Sequence, residues 1–369
     1  MREQKEVPDH DVYLKTNYFP ALDGLRAISV FLVFAVHFGG EMSGTRTGWL
    51  GVYVFFVLSG FLITTLLLRE RDATGFVSLK AFYIRRSTRL MPVYFLVYLA
   101  VMVLSYFSGG QAWSEMKAAT PYMLTFLNEF AGSSPLAITW SLGVEWKYYL
   151  VWPLLFALFG RTPASSLALA LLCLAMTSIL LIGNLYPAWF TPWFYFGLIL
   201  GALIAVAMHS RTLFNRLRGL MTNKAAFIIT FVLFVWYRRG DLIEARLGHA
   251  TLIVVFSLLV GLLMPSLIVN STYVSRALAW RPFVFIGQRS YAMYLVQVMA
   301  VQAVIFVFPG TLFGPFLLFS GLAVALLVAD VLYRWFERPI AQWGHRWAKT
   351  IKMKQGAGGI QPAPDARLS

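Results

Sequence analysis

Long apolar runs alternate with short polar, arginine-rich segments along almost the whole chain. Ten such runs stand out, near residues 24–40, 49–68, 91–108, 146–160, 165–183, 188–208, 224–237, 249–269, 284–307 and 312–333. A helix that crosses a bilayer needs roughly 20 apolar residues, so several of these runs imply tilt or local thinning of the membrane. The pattern predicts an all-α, polytopic membrane protein of about ten transmembrane helices. It divides the chain into a polar segment over 1–17, a membrane domain over 18–344 and a basic tail over 345–369. From Lys349 onward the tail is rich in Gly, Pro and Lys, and disorder is expected there. Residues 1–20 hold no apolar core, so no cleavable signal peptide is expected. No internal repeat or low-complexity tract interrupts the pattern.

Composition agrees: 59% of the 369 residues are hydrophobic and only 13% are charged, more apolar side chain than a soluble domain of this size can hide. The net charge of +15 raises the possibility of a nucleic-acid partner. The placement of the basic residues argues against one. If the N-terminus is cytoplasmic and the spans alternate, 23 basic residues fall in inner segments and 5 in outer ones. That asymmetry is the positive-inside rule, and it predicts that both termini face the cytoplasm. Arg238, Arg239 and Arg246 form the one outer loop that resists the pattern. Cys173 is the sole cysteine, which excludes an intrachain disulfide.

Three stretches break the apolar rule. In DGLRAISVFLVFAVHF, residues 23–38, Arg26 and His37 are eleven residues apart. At about 100° per residue they share a helix face, roughly 16 Å apart along the axis. Ionisable groups placed so should face a bundle interior or an aqueous cavity. The bland alternative is that Arg26 snorkels to lipid headgroups and His37 bonds a nearby backbone carbonyl.

In FYIRRSTRLMP, residues 82–92, Arg85, Arg86 and Arg89 crowd into little more than one helical turn. They are either ordinary positive-inside charge or a site for phosphate oxygens, which guanidinium forks bind bidentately. In ITWSLGVEWKYYLVWPLL, residues 138–155, Glu145 stands at the outer mouth of a span with Ser141, Tyr148 and Tyr149 about one turn away. Lys147 and the tryptophans beside it fit an interfacial belt. By depth, Arg26 and the arginine cluster make a cationic inner mouth, whereas His37 and Glu145 could meet in the outer half. A neutral histidine beside a carboxylate is a general base with a fixed tautomer.

At these residues the chain resembles the acyltransferase 3 family of integral-membrane acyltransferases, from about Tyr18 to Gly344. The family's basic residue, ten intervening residues and histidine correspond to Arg26 and His37. Its FFxLSGFLI stretch is FFVLSGFLI at 55–63, and its RxxR pair falls on Arg86 and Arg89. Its WSLSVEEQFYLLWPL is WSLGVEWKYYLVWPL here, which keeps Ser141, Glu145 and Tyr149. The ending YRWFERPI matches through Glu337, Arg338 and Pro339. Two positions depart. Trp146 and Lys147 replace the second carboxylate and the glutamine of that motif, and Gln297 stands where a histidine is common in GxxSYxxYLWH. An extra extracytoplasmic hydrolase-like domain, carried by some members, is not expected from this sequence.

The resemblance implies an O-acyltransferase of the inner (plasma) membrane. It would move an acyl group, acetyl above others, from cytoplasmic acetyl-CoA or another acyl-CoA to a hydroxyl of an extracytoplasmic carbohydrate or glycolipid. His37 and Glu145 are then the expected catalytic pair, Arg26, Arg86 and Arg89 the CoA-binding residues, and Ser141 and Tyr149 further substrate contacts. No metal is expected; membrane lipids are the other partners. Two rivals remain: a carrier or flippase for an anionic lipid-linked sugar, which would also use intramembrane Arg, His and Glu, and an anchor or assembly protein without chemistry, which would leave His37 and Glu145 without a task.

Overall fold

The computed structural model describes residues 9–40, 46–183, 191–311 and 313–357, the side chains of 353–357 excepted. Among the described residues the regular structure is helical throughout. A short helix α1 (His10–Lys15) precedes α2 (Pro20–Phe38), α3 (Gly51–Thr74), α4 (Leu79–Ser108) and α5 (Gly110–Leu124). Then come α6 (Trp140–Phe159), α7 (Pro163–Ile182), α8 (Pro192–His209), α9 (Arg211–Leu217), α10 (Asn223–Arg238) and α11 (Gly240–Leu247). The chain closes with α12 (His249–Ile268), α13 (Tyr273–Leu278), α14 (Arg281–Val307), α15 (Pro315–Leu332) and α16 (Arg338–Ala357). Local chemistry sets the ends. Proline opens α2, α7, α8 and α15 within the first turn, where its missing N–H costs nothing. Gly75, at φ +78°, stops α3 in the left-handed conformation.

Each expected apolar run falls mainly on a helix, residues 188–190 and 312 of two of them lying outside the described residues. Among the described residues eight helical stretches are long and apolar enough to cross a membrane. The chain is a multi-pass membrane protein. The other two expected spans differ for physical reasons. The 20-residue α6 carries Glu145 and Lys147 within its first two turns, which lowers its hydropathy. The 16-residue α10 is short and joins the preceding Arg211–Met221 segment at a 73° bend. The tail also differs from its expectation, because α16 runs through 345–357 as regular helix. Its alternation of aromatic, basic and small residues is amphipathic, and one face is packed. Gly344 meets Thr88 of α4, and the Lys352 ammonium reaches Glu70 at 2.7 Å. Residues 358–369 lie outside the described residues.

Two hydrophobic clusters build the interior. One draws chiefly on α3, α6, α8 and α12, the other on α4, α5, α14 and α15. Helix α2 contributes Leu22 and Leu25 to the first and Val30, Phe34 and Phe38 to the second. Leu142 and Trp146 of α6 pack against both, so the N-terminal turns of α6 sit on the seam. Glycines draw the helices of each half to backbone contact. A Cβ on Gly60 of α3 would stand 1.8 Å from the Leu198 carbonyl oxygen of α8. One on Gly287 of α14 would stand 1.8 Å from the Asp23 carbonyl of α2. Such close approach replaces side-chain interdigitation with backbone van der Waals contact, a favoured packing mode in lipid.

Because the atom opposing Gly60 is backbone, it cannot rotate away. Gly60→Ala should therefore force α3 from α8 and destabilise the protein by about 1–3 kcal/mol or more. The melting midpoint of the detergent-purified variant checks this; a midpoint equal to wild type removes the contact from the argument.

Candidate functional site

A cavity of about 100 Å³ opens on the seam between the two clusters. Five helices and the turn Tyr333–Glu337 wall it: Arg26 from α2, Ser59 from α3, Arg86 and Arg89 from α4, Ser141, Glu145 and Tyr149 from α6, Tyr291 and Tyr294 from α14, and Glu337. A second cavity, of about 300 Å³, adjoins it on the side of the N-terminal segment, where Asn17, Tyr18 and Arg69 form its wall. Arg26, Arg86, Arg89, Leu62 and Gln288 border both, so the arginines stand at the waist between an outer vestibule and an inner pocket.

The arginines divide sharply by partner. Arg85 gives its guanidinium to Glu70 at 2.8 Å. Arg69 caps the Thr16 carbonyl at 2.8 Å, and Arg71 bonds the Gly160 carbonyl and Ser166 at 2.8 Å each. Arg289 meets Asp330 at 2.6 Å, and Arg26 meets Asp23 at 2.9 Å. By contrast, Arg86 and Arg89 make no hydrogen bond or ion pair among the described residues. Arg86 only lies over the rings of Phe82 and Tyr149, 5.9 and 5.6 Å from their centroids. Around α4, Arg89 lies between the other two, about 40° from Arg85 and about 60° from Arg86. The division therefore comes from the partner within reach, Glu70 of α3, which Arg85 alone of the three meets. Of the three cations legible in RRSTR, one is structural and two present open forks to the cavity.

Asp23, which holds Arg26, also accepts a hydrogen bond of 2.7 Å from the Tyr18 hydroxyl. Gln288 donates to that same hydroxyl at 3.0 Å. Burial, reinforced by the Asp23 carboxylate, pushes the Tyr18 phenol up to about 12, so it stays a neutral donor across the physiological range.

At the other end of the pocket, Glu145 accepts hydrogen bonds from the hydroxyls of Ser59 and Tyr149 through one carboxylate oxygen. Tyr294 donates to the Ile138 carbonyl, so Ser141, 2.9 Å from the Tyr294 oxygen, is the donor in that pair. The Tyr291 hydroxyl ties α14 to the Leu90 carbonyl at 2.6 Å.

The structure thus gathers Arg26, Arg86, Arg89, Ser141, Glu145 and Tyr149 around one cavity. It does not bring His37 to that wall. The expected meeting of His37 with Glu145 is absent, because Glu145 is held by Ser59 and Tyr149. His37 Nδ1 instead donates to the Val33 carbonyl one turn back, at 2.7 Å. A carbonyl can only accept, so this bond places the proton on Nδ1 and leaves Nε2 as the lone-pair nitrogen of the neutral ring.

Ser59, Gln288, Tyr291, Tyr294 and Glu337 are site residues that sequence reasoning passed over, although all lie in motifs already noted. The two departures from the motif also find their physical reasons. Trp146 stacks on Phe126 at 4.7 Å, and Phe126 stacks on Tyr94 at 5.0 Å, which makes an aromatic column. Lys147 forms an ion pair with Glu129. Gln297 is fully buried, donates to the Tyr294 carbonyl at 3.0 Å and takes no part in the cavity wall.

An acyltransferase domain model matches residues 19–334. Peptidoglycan O-acetyltransferase OatA of Listeria monocytogenes is 27% identical over 89% of this chain and 56% of its own length. YrhL of Bacillus subtilis is 28% identical over 91% of this chain and 57% of its own length. The chain spans a little over half the length of these relatives. No solved structure matches.

The Glu129–Lys147 pair can be tested apart from any chemistry. Lys147→Ala leaves a partly buried carboxylate without its cation and should cost on the order of 1–3 kcal/mol. Adding Glu129→Gln should recover most of that loss. Melting midpoints of the single and double variants read it out, and additive losses would contradict the pairing.

Proposed function

Because the chain belongs to the acyltransferase 3 domain family, we propose that it moves an acetyl group from acetyl-CoA to a carbohydrate hydroxyl. Arg86 and Arg89 carry the reading. A guanidinium whose donors are unbonded inside a protein is costly. These two make no hydrogen bond or ion pair among the described residues and turn into a cavity whose wall carries Glu145 and Glu337. The ligand that suits them bears phosphates. In this reading both termini are cytoplasmic and the chain has ten spans, including α6 and α10. The phosphates of CoA rest at the waist, and the pantetheine arm passes into the inner pocket. Arg26, already half neutralised by Asp23, supplies the remaining positive charge. Glu145 acts as a positioning residue that fixes Ser59 and Tyr149, and Ser141 lines the same pocket.

His37 is the proposed base. With its proton fixed on Nδ1, Nε2 is free to take the proton of an acceptor hydroxyl. The hydroxyl oxygen then bonds to the thioester carbon, the C–S bond breaks, and the CoA thiolate leaves and is reprotonated from the imidazolium. The acceptor in the name of the Listeria relative is peptidoglycan, and a cell-envelope glycan on the outer face suits the polarity proposed here.

Two measurements test this. Arg86→Ala and Arg89→Ala should each weaken acetyl-CoA binding about tenfold or more, with partial rescue by Lys, which lacks the fork. Arg85→Ala should spare affinity and lower the melting midpoint instead. Unchanged affinity in both cavity variants removes the donor site. His37→Ala should cost roughly 10²–10⁴-fold in transfer while leaving acetyl-CoA binding intact. Wild-type protein that binds an anionic lipid-linked sugar and no acetyl-CoA would establish the carrier reading in its place.

A further inference from the structure

Glu337 is only 4% exposed, and its Oε2 has no hydrogen-bond partner among the described residues. It sits where α15 and α16 meet, in a π-helical turn, Tyr333–Glu337, closed by the Arg338 N–H on the Tyr333 carbonyl. Such single wide turns recur at functional sites, because they redirect a side chain that a regular helix would aim elsewhere. Here the turn brings the carboxylate to the cavity wall. The charges around it are Arg89, Arg26 and Arg289. It forms no ion pair with any of them among the described residues. A buried carboxylate left this way is expensive unless something else completes its hydrogen bonds.

Its depth narrows what that partner is. The three arginines at the waist border both cavities, whereas Glu337 borders only the inner one. A ligand with phosphates at the waist therefore shows Glu337 the part that lies beyond them. In CoA that part is the pantetheine arm, which is uncharged and carries two amide N–H donors. Glu145 borders the same cavity, but one of its oxygens is already engaged by Ser59 and Tyr149, whereas Glu337 has no hydrogen bond among the described residues. We infer that Glu337 is a donor-binding residue, whose carboxylate accepts a hydrogen bond from a pantetheine amide N–H. The inference rests on the acyl-CoA reading above. It adds a specificity element for the arm to the phosphate site.

The test compares two probes on detergent-purified protein by calorimetry: CoA itself, and the phosphorylated adenosine diphosphate headgroup of CoA without its arm. Wild type should bind both. Glu337→Gln keeps the shape and a neutral acceptor, and should weaken CoA about tenfold while the headgroup binds no more weakly than to wild type. Glu337→Ala should weaken CoA by roughly 10–100-fold, again sparing the headgroup. Unchanged CoA affinity in Glu337→Gln overturns the inference. Equal weakening of both probes overturns it as well, since that marks an effect on the arginines or on folding. Wild type that binds neither probe refutes the acyl-CoA reading itself, and the inference falls with it. Loss of binding in Arg86→Ala with both probes, beside the selective loss in Glu337→Gln, keeps the two claims distinct.

Discussion

Charge is hard to keep inside an apolar bundle, and the fold is organised around where that difficulty is met. Most interior cations are answered at once: Arg85 by Glu70, Arg289 by Asp330, Arg71 by a helix-end carbonyl and a serine. These pairs also join elements far apart in sequence. Glu70 of α3 receives Arg85 of α4, Lys352 of α16 and the Ser78 N–H, so one carboxylate fastens three helices at one level. Against that background, Arg86 and Arg89 are the exception. Neutralising the rest makes a site of the two that are left.

The same comparison shows what was legible in the sequence. The described part of each of the ten apolar runs is chiefly helical, because an unbroken apolar segment can satisfy its backbone groups in lipid only as a helix. Arg26, Arg86, Arg89, Ser141, Glu145 and Tyr149 were each visible as a polar residue where an apolar one was due, and they share one cavity. Contact between helices was less legible. The pairing of His37 with Glu145 rested on shared depth alone, and depth says nothing of azimuth; α3 intervenes with Ser59. The serine was in view in FFVLSGFLI, but a hydroxyl in a membrane helix usually bonds its own backbone, as Ser29 does with the Leu25 carbonyl. Glu337 stayed hidden because its direction depends on a π turn, which hydropathy does not mark.

Substitution of Trp146 and Lys147 into a motif that elsewhere has a carboxylate and an amide illustrates how a site tolerates change near its rim. Both side chains leave the cavity side of α6 for local partners, an aromatic column and Glu129. The carboxylate of α6 that faces the cavity is Glu145, held by Ser59 and Tyr149. Phe126, the middle ring of that column, holds a left-handed backbone at φ +57°, a conformation a bulky residue keeps only under firm packing. The loop that precedes α6 is thereby clamped at the pocket's edge.

Helix α2 belongs to both hydrophobic clusters, with Leu22, Leu25 and Val33 in one and Val30, Phe34 and Phe38 in the other. Its midpoint, Ser29, is wholly buried and bonded back to Leu25 at 2.9 Å, the kind of side-chain bond about which helices bend. Ser29 lies between Arg26 and His37, so a bend of α2 at this serine changes the angle between the arginine and the histidine.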